Sequence, residues 1–443
     1  MEMRLVNALA TTEALAEVFS DTAMLQALID VEVGLARVQA RLGILPPGAA
    51  EAIAAAAYSE PFDAAALSRA ARSSGTVVIP FVQALTDRVR TLSGAAGGFV
   101  HWGATSQDIA DTAFNVCLAH ACDRLAADHD ALSAAIERLS DAHATTVMLG
   151  RTLLQPAPPI TFGLKVAGWH AAGERNWARV TSARREALVV QFGGASGTLA
   201  ALGPAGLDVG RMLAAELGLG YPDAPWHAHR DRLAAFVSAL GVSTGTLGKI
   251  ARDISLLMQH EVGEAAEPGG RSSTMPQKRN PAAAAVAIAA STRTPGLVAA
   301  FLTGMVQEHE RAVGGWHAEW PTVAALVQAT GAALEALLGA IDGLAVDPVR
   351  MRANLDATGG GVFAECAMMR LAPTMGRDAA HALVQRAVGD RQSSGRPLVD
   401  VLAAMPEVTA HVSPDELRQL CSPEGYLGAA ESLRLQLLGR RTP

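Results

Sequence analysis

Gly269-Gly270-Arg271-Ser272-Ser273-Thr274-Met275-Pro276-Gln277-Lys278-Arg279-Asn280-Pro281 is the run on which the reading of this chain turns. It is the one place where small, flexible and polar residues interrupt a sequence otherwise rich in Ala and Leu. An apolar helical pattern, Leu233 to Val262, precedes it. Pro281 then opens an Ala-rich segment that again reads as helix, with Pro at a first helical position. The spacing predicts a Gly/Ser loop that ends at a helix N-terminus, where unpaired N–H groups attract anions. Two serines, a lysine and an asparagine in so short a run suit the holding of carboxylates. Composition alone equally allows an exposed basic loop.

The chain has 443 residues, enough for a large core and two or three domains. Half of them are hydrophobic but only 4% are aromatic, the profile of an all-α protein built on Ala and Leu. A formal charge of −7, with no basic run, argues against a nucleic-acid surface. An anionic substrate would therefore need local cations such as Lys278. No window approaches 18 uninterrupted apolar residues, so no membrane partner is expected. Met1-Glu2-Met3-Arg4 does not read as a signal peptide. Cys117, Cys122, Cys366 and Cys421 have no metal-ligand spacing and read as reduced core residues of a cytoplasmic protein. His309 and Glu310 lack the His-Glu-x-x-His spacing of a zinc site, and no metal is expected.

Taken in order, Asp21 to Leu42 has apolar residues at helical spacing, and a second helical run covers about Ala49 to Tyr58. Ser73-Ser74-Gly75-Thr76 reads as a loop. In His101-Trp102-Gly103-Ala104-Thr105-Ser106-Gln107-Asp108, either Thr105 or Ser106 can cap the helix that follows. That helix runs from Asp108 to His143, and another from about Ile160 to Val190. Gln191 to Thr198 is Gly-rich but lacks the Lys-Ser/Thr of a phosphate cradle, so a tight helix connection is the better account. Arg230 and Arg232 offer anion contacts or ordinary ion pairs, with the latter favoured for at least one. Helices from Pro281 to Met305 and on to Leu344 follow, and a smaller helical region begins at Asp347.

The opening run closely resembles the signature of the fumarase/aspartase superfamily, G-S-S-x-M-P-x-K-x-N-P. Ser272, Ser273, Met275, Pro276, Lys278, Asn280 and Pro281 all fall in register. Arg271 departs, standing where the motif has its leading Gly, and this alters the loop's hinge. His101-x-Gly103-x-Thr105-Ser106-x-Asp108-x-x-Asp111-Thr112-Ala113 is similar to the superfamily's first shared region, whose Thr-Ser pair hydrogen-bonds a substrate carboxylate. The resemblance implies an all-α, three-region fold: an N-terminal helical domain over residues 1–103, a central bundle of long helices over 104–346, and a C-terminal helical domain over 347–443. It further implies a homotetramer whose active sites combine residues of different subunits, and no cofactor.

Lyases of the superfamily commonly read Arg-Thr-His-x-Gln where this chain has Arg151-Thr152-Leu153-Leu154-Gln155. Leucine cannot move a proton, which argues against adenylosuccinate and argininosuccinate lyase. His143 is the nearest alternative carrier, though a helix-terminal imidazole facing water is an equal reading. Within the superfamily the chain most resembles the carboxymuconate cycloisomerases, through Arg151–Gln155, Phe192–Leu199, Gln307–Trp320 and Ser422–Gly428. That resemblance implies conversion of 3-carboxy-cis,cis-muconate to a lactone in protocatechuate catabolism. It gives Ser272, His143 and Lys278 catalytic parts. It places His101, Thr105, Ser106, Arg151, Thr152, Gln155, Met275 and Asn280 around a di- or tricarboxylate. The alternative is a fumarate-forming lyase acting on a substituted succinate.

Overall fold

The structure, a computed structural model, describes residues 4–441. Long helices carry it, with two small two-stranded sheets. It divides into two compact units, each discontinuous in sequence. One holds the chain up to Asp130, Arg175–Gly248 and Val286–Glu335; the other holds Ala131–Glu174, Lys249–Ala285 and Ala336 onward.

In the first unit the Asp21–Arg41 helix forms where the periodicity placed it. Ser20 Oγ accepts from the Ala23 N–H at 3.2 Å, with Asp21 in the first turn and Arg41 in the last, both favourable to the helix dipole. Its buried face, with Leu28, Val31, Leu35 and Val38, packs against the helices Ala49–Ala57 and Ala205–Leu217. Burying each leucine contributes about 2 kcal/mol. The expected loop at Ser73 is shorter than its composition suggests. Ser73 and Ser74 close the Ala64–Ser74 helix, and Gly75 (φ 71°) ends it in the left-handed region.

The long helix spans Ser106–Ala142. Residues 188–194, read as the end of one helix and the start of a tight connection, form a buried irregular segment laid along it. Its backbone is satisfied by side chains of the helix. Asn115 Nδ2 donates to the carbonyls of Ala187 and Val189, and Thr112 Oγ1 exchanges hydrogen bonds with the N–H and C=O of Gln191.

In the second unit, the expected helix from Ile160 begins only at Phe162. Ahead of it lies an antiparallel hairpin, Val147–Thr152 with Gln155–Thr161. Thr152 pairs with Gln155, leaving a two-residue turn in which Leu153 (φ 50°) and Leu154 (φ 65°) are both left-handed. This is the geometry of a type I′ turn, ordinarily the place of Asn-Gly. Pro156, Pro158 and Pro159 keep the second strand from extending into a wider sheet.

The helices from Ala364 to Leu420 close on Leu371, Ala380, Leu383, Leu402 and Leu417. The last helix, Ala430–Leu437, is tied down by charge: Arg434 donates to Asp141 at 2.7 Å, and Arg440 grips the same carboxylate through both oxygens at 2.8 Å. All four cysteines are free thiols.

Among the described residues three helices are long and apolar enough to cross a membrane on length and composition: Asp231–Leu257, Ala282–Gly304 and the stretch Trp316–Asp342. None of them is an unbroken apolar run, because charged or hydroxyl side chains interrupt each one. The first and third bury half or more of their apolar window; Ala282–Gly304 buries 22%.

Candidate active site

Two groups of polar residues are built by the fold, one in each unit. In the first unit, the start of the Ser106–Ala142 helix is organised by Asp108. Its carboxylate accepts from the N–H groups of Thr105 (3.0 Å), Gly193 (2.9 Å) and Gly194 (2.9 Å), and sits 2.7 Å from His227 Nε2. The expected hydroxyl cap is therefore not what Thr105 and Ser106 supply. Asp108 satisfies the backbone here, and the two hydroxyls are left to accept from Arg311, at 2.7 Å for Thr105 Oγ1 and 3.3 Å for Ser106 Oγ. Arg311 Nε also reaches Gln107 Oε1 at 3.3 Å. Two hydroxyls and a guanidinium at a helix start form a set of donors suited to a carboxylate. Sequence reading used Gln307–Arg311 only as a mark of kinship and missed Arg311 as a functional candidate. Its one signal was a cation in a Gly-flanked polar stretch.

His101 takes a left-handed backbone (φ 59°) that directs Nδ1 to the buried Glu32 carboxylate, at 2.6 Å. Burial alone would lower its pKa, but Glu32 outweighs burial and raises it above 6.5. His101 thus holds its positive charge closer to neutrality than a free imidazole would.

Beneath these residues lies a buried ionic cluster. Arg230, 1% exposed, donates to Asp111 (2.8 and 3.2 Å) and to both oxygens of Glu319. Trp316 Nε1 donates to Asp111 at 2.8 Å, and Gln307 Nε2 to Glu319 at 2.7 Å. Arg230 is thus the ordinary ion pair that its sequence context favoured, with the exposed Arg232–Asp223 pair as its plainer neighbour. The cluster fixes the segment carrying Arg311 against the helix carrying Thr105 and Ser106.

In the second unit the Gly269–Pro281 run folds back on itself. Arg271 and Arg279 form an antiparallel bridge. The Ser272 N–H donates to Lys278 O at 3.3 Å, and the Asn280 N–H to Gly270 O at 2.7 Å. The left-handed positions are Gly269 (φ 94°) and Gly270 (φ 63°), so the loop's hinge lies in the glycines ahead of Arg271. A Cβ at Gly270 would come within 1.9 Å of Asn280 O. Ser272 Oγ accepts from the N–H groups of Met275 (3.0 Å) and Thr274 (3.3 Å). Met275 and Lys278 are exposed, and Asn280 is half-buried. The helix after the loop begins at Ala282, one residue later than expected. Its first N–H groups are already occupied: the buried Glu267 accepts from Ala283 and Ala284 at 2.9 Å each. Anion binding by that helix start is corrected accordingly, and the loop's own donors remain.

His143 follows the long helix. Its Nδ1 lies 3.0 Å from Thr146 Oγ1, and Phe162 meets its ring edge-on at 5.4 Å. Burial lowers its pKa from the ordinary 6.5, which favours the neutral imidazole. Arg151 leaves the hairpin to form a two-pronged pair with the fully buried Glu264, at 2.6 and 2.9 Å, and Asn354 donates to the same carboxylate. Its fork is therefore shared with a protein carboxylate. Thr152 and Gln155 flank the exposed hairpin tip.

The chain is similar to known proteins along almost its whole length. A family profile described as Lyase matches residues 8–296, and another, described as Adenylosuccinate lyase C-terminus, matches residues 360–434. The 3-carboxy-cis,cis-muconate cycloisomerase of Bradyrhizobium diazoefficiens is 45% identical across 98% of this chain and 97% of its own length. The protein of the same name from Pseudomonas aeruginosa is 46% identical, over 94% and 91%. The solved 3-carboxy-cis,cis-muconate lactonizing enzyme from Pseudomonas putida has a TM-score of 0.93 and 44% identity, with 98% of both chains covered. The chain belongs to the lyase family, and its all-α fold is of the fumarase/aspartase type.

Proposed function

We propose that this lyase-family chain is a cycloisomerase, interconverting 3-carboxy-cis,cis-muconate and a carboxymuconolactone in the catabolism of aromatic compounds. The observation that carries the reading is its full-length likeness to 3-carboxy-cis,cis-muconate cycloisomerases in sequence and fold. In the forward direction one carboxylate oxygen of the substrate attacks an alkene carbon. The π electrons move toward a second carboxylate, giving an aci-carboxylate, and a proton is then delivered to the carbon between them. In reverse, that proton is removed and the ring carboxylate expelled. Both directions place extra negative charge on one carboxylate, which fixed donors must stabilise.

Lys278 and Asn280 are assigned to that charge. Ser272 is assigned to proton transfer, supported by the two N–H groups that its oxygen accepts from; donors of this kind favour the alkoxide. His143, neutral and able to take a proton, is the second carrier. Thr105, Ser106, Arg311 and His101, whose protonated form Glu32 favours, bind substrate carboxylates, and Thr152, Gln155 and Met275 line the substrate. Arg151 acts through its pair with Glu264. The reaction needs neither cofactor nor metal. The enzyme works in the cytoplasm, consistent with four free thiols, as a homotetramer whose active sites combine residues of different subunits. The weakly buried apolar helix Ala282–Gly304 supports the assembly, since it offers a face for other subunits to cover.

Incubation of the purified protein with 3-carboxy-cis,cis-muconate is expected to remove the diene absorbance and yield a lactone by NMR. An unchanged diene, or release of fumarate from a substituted succinate instead, would overturn the reading. The lowered pKa of His143 sets a further expectation. Its proton is gained only below pH 6.5, so the acid limb of kcat/KM for lactone opening falls below that value. His143→Gln is expected to lose this limb and roughly 10²–10³ of the rate. A limb retained in the variant would remove His143 from the mechanism.

A further inference from the structure

The signature-like loop carries two arginines that the catalytic assignment leaves unused. Arg271 and Arg279 face each other across the antiparallel bridge. The bonds on either side, Ser272 N–H to Lys278 O and Asn280 N–H to Gly270 O, make them a non-hydrogen-bonded pair. In that register the two side chains leave the same face of the ribbon, with Cα atoms only about 4.5 Å apart. Side chains alternate between faces, so Ser272 and Lys278 stand on the other one. Like charges directly opposite are destabilising, and nothing local relieves them. The run Gly269–Pro281 contains no acidic residue. Among the described residues neither arginine has an ion-pair partner, while most other arginines of this unit do. The neighbouring helix start cannot compete for an anion, since Glu267 fills it.

The pair exists because Arg271 occupies the place of the signature's glycine. The loop is closed by Gly270, where the left-handed backbone and the contact with Asn280 exclude a side chain, so the backbone itself imposes the repulsion.

We infer that Arg271 and Arg279 form a binding site for a small dianionic oxyanion, held between two guanidinium forks on the face of the loop opposite Ser272 and Lys278. Each fork donates two parallel N–H bonds to such an anion, which a monatomic ion cannot accept. The bound oxyanion cancels the cross-strand repulsion and secures the folded-back loop, in which Ser272 Oγ accepts from Thr274 and Met275. It occupies a place distinct from the substrate's.

The test uses the full chain and inorganic phosphate, with chloride at matched ionic strength as the control. Phosphate is expected to bind the wild-type protein by calorimetry with a Kd on the order of millimolar, and to slow hydrogen exchange of the loop amides from Gly270 to Asn280. Arg271→Gly restores the signature residue and should keep the fold while weakening phosphate about tenfold or more. Arg271→Lys, which keeps charge but loses the fork, should fall between. The site is overturned if phosphate binds Arg271→Gly as tightly as wild type. It is also overturned if phosphate competes with substrate, or if chloride slows the same amides equally. Dissociation of the assembly in Arg271→Gly, with no phosphate binding to wild type, would place a neighbouring subunit's carboxylate there instead. Only the competition arm needs the substrate; calorimetry and hydrogen exchange do not, so they stay interpretable if the cycloisomerase assay fails.

Discussion

Lys278→Ala is expected to lower kcat/KM for the cycloisomerisation by about 10³-fold, with no more than a small change in melting temperature. The reasoning joins burial to chemistry. The Lys278 side chain is exposed, and the loop is held through its backbone, by the Lys278 N–H to Met275 O and the Ser272 N–H to Lys278 O. Truncation therefore removes an ammonium without removing the bonds that shape the loop. On the proposed assignment, what is lost is a donor to charge that develops only in the transition state, and such donors are worth roughly 10²–10³ in rate; full positive charge places this one at the upper end. On the same assignment the loss should fall mainly on kcat, because ground-state carboxylate binding is given to Thr105, Ser106 and Arg311. Steady-state kinetics of the folded variant decide the matter. A fall of less than tenfold would mean that the electrophilic donor lies elsewhere.

Arg230→Met is expected to give the largest stability effect in the chain. It leaves Asp111 and Glu319 buried and facing each other with no cation between them. Breaking a buried pair from one side costs about 3–5 kcal/mol. For a unit of this size that corresponds to a fall in melting temperature of roughly 10 °C. Trp316 and Trp226 report on it directly: Trp316 donates to Asp111, and the Arg230 guanidinium lies 4.3 Å from the Trp226 ring centroid. Their emission should shift early in the transition. Replacing Arg230, Asp111 and Glu319 together with apolar residues should recover much of the loss, because no charge is then left without a partner. A melting temperature within two degrees of wild type for the single variant would mean that water reaches the cluster.

The helical architecture was legible because its cause is local. Apolar residues at the spacing of Leu28, Val31, Leu35 and Val38 specify a helix whatever lies beyond it, and the caps at Ser20 and Asp63 are local too. The signature-like loop was legible as a polar, glycine-hinged turn between helices, and Thr105 and Ser106 as residues at a helix start. The hairpin of Val147–Thr161 was not, since its turn is Leu-Leu where Asn-Gly is the recognisable signal. Nor were the partners of polar residues. Arg311 meets Thr105 across some two hundred positions, and Arg230 reaches Asp111 and Glu319 in opposite directions along the chain. No periodicity encodes such pairings. Glu267 was hidden for another reason: it caps a helix from outside the segment where a cap is sought.

The hairpin tip has a consequence for anyone engineering this chain. Leu153 and Leu154 both hold a backbone that costs a β-carbon-bearing residue roughly 1 kcal/mol or more, and Leu153 is 97% open to solvent. Asn-Gly in their place would ease that torsion and remove greasy surface, a ready gain for a thermostability programme. The chain forgoes that gain at the end of the ribbon that bears Arg151, Thr152 and Gln155. A sturdier variant made there, assayed beside the parent chain, would show whether turnover tolerates the change.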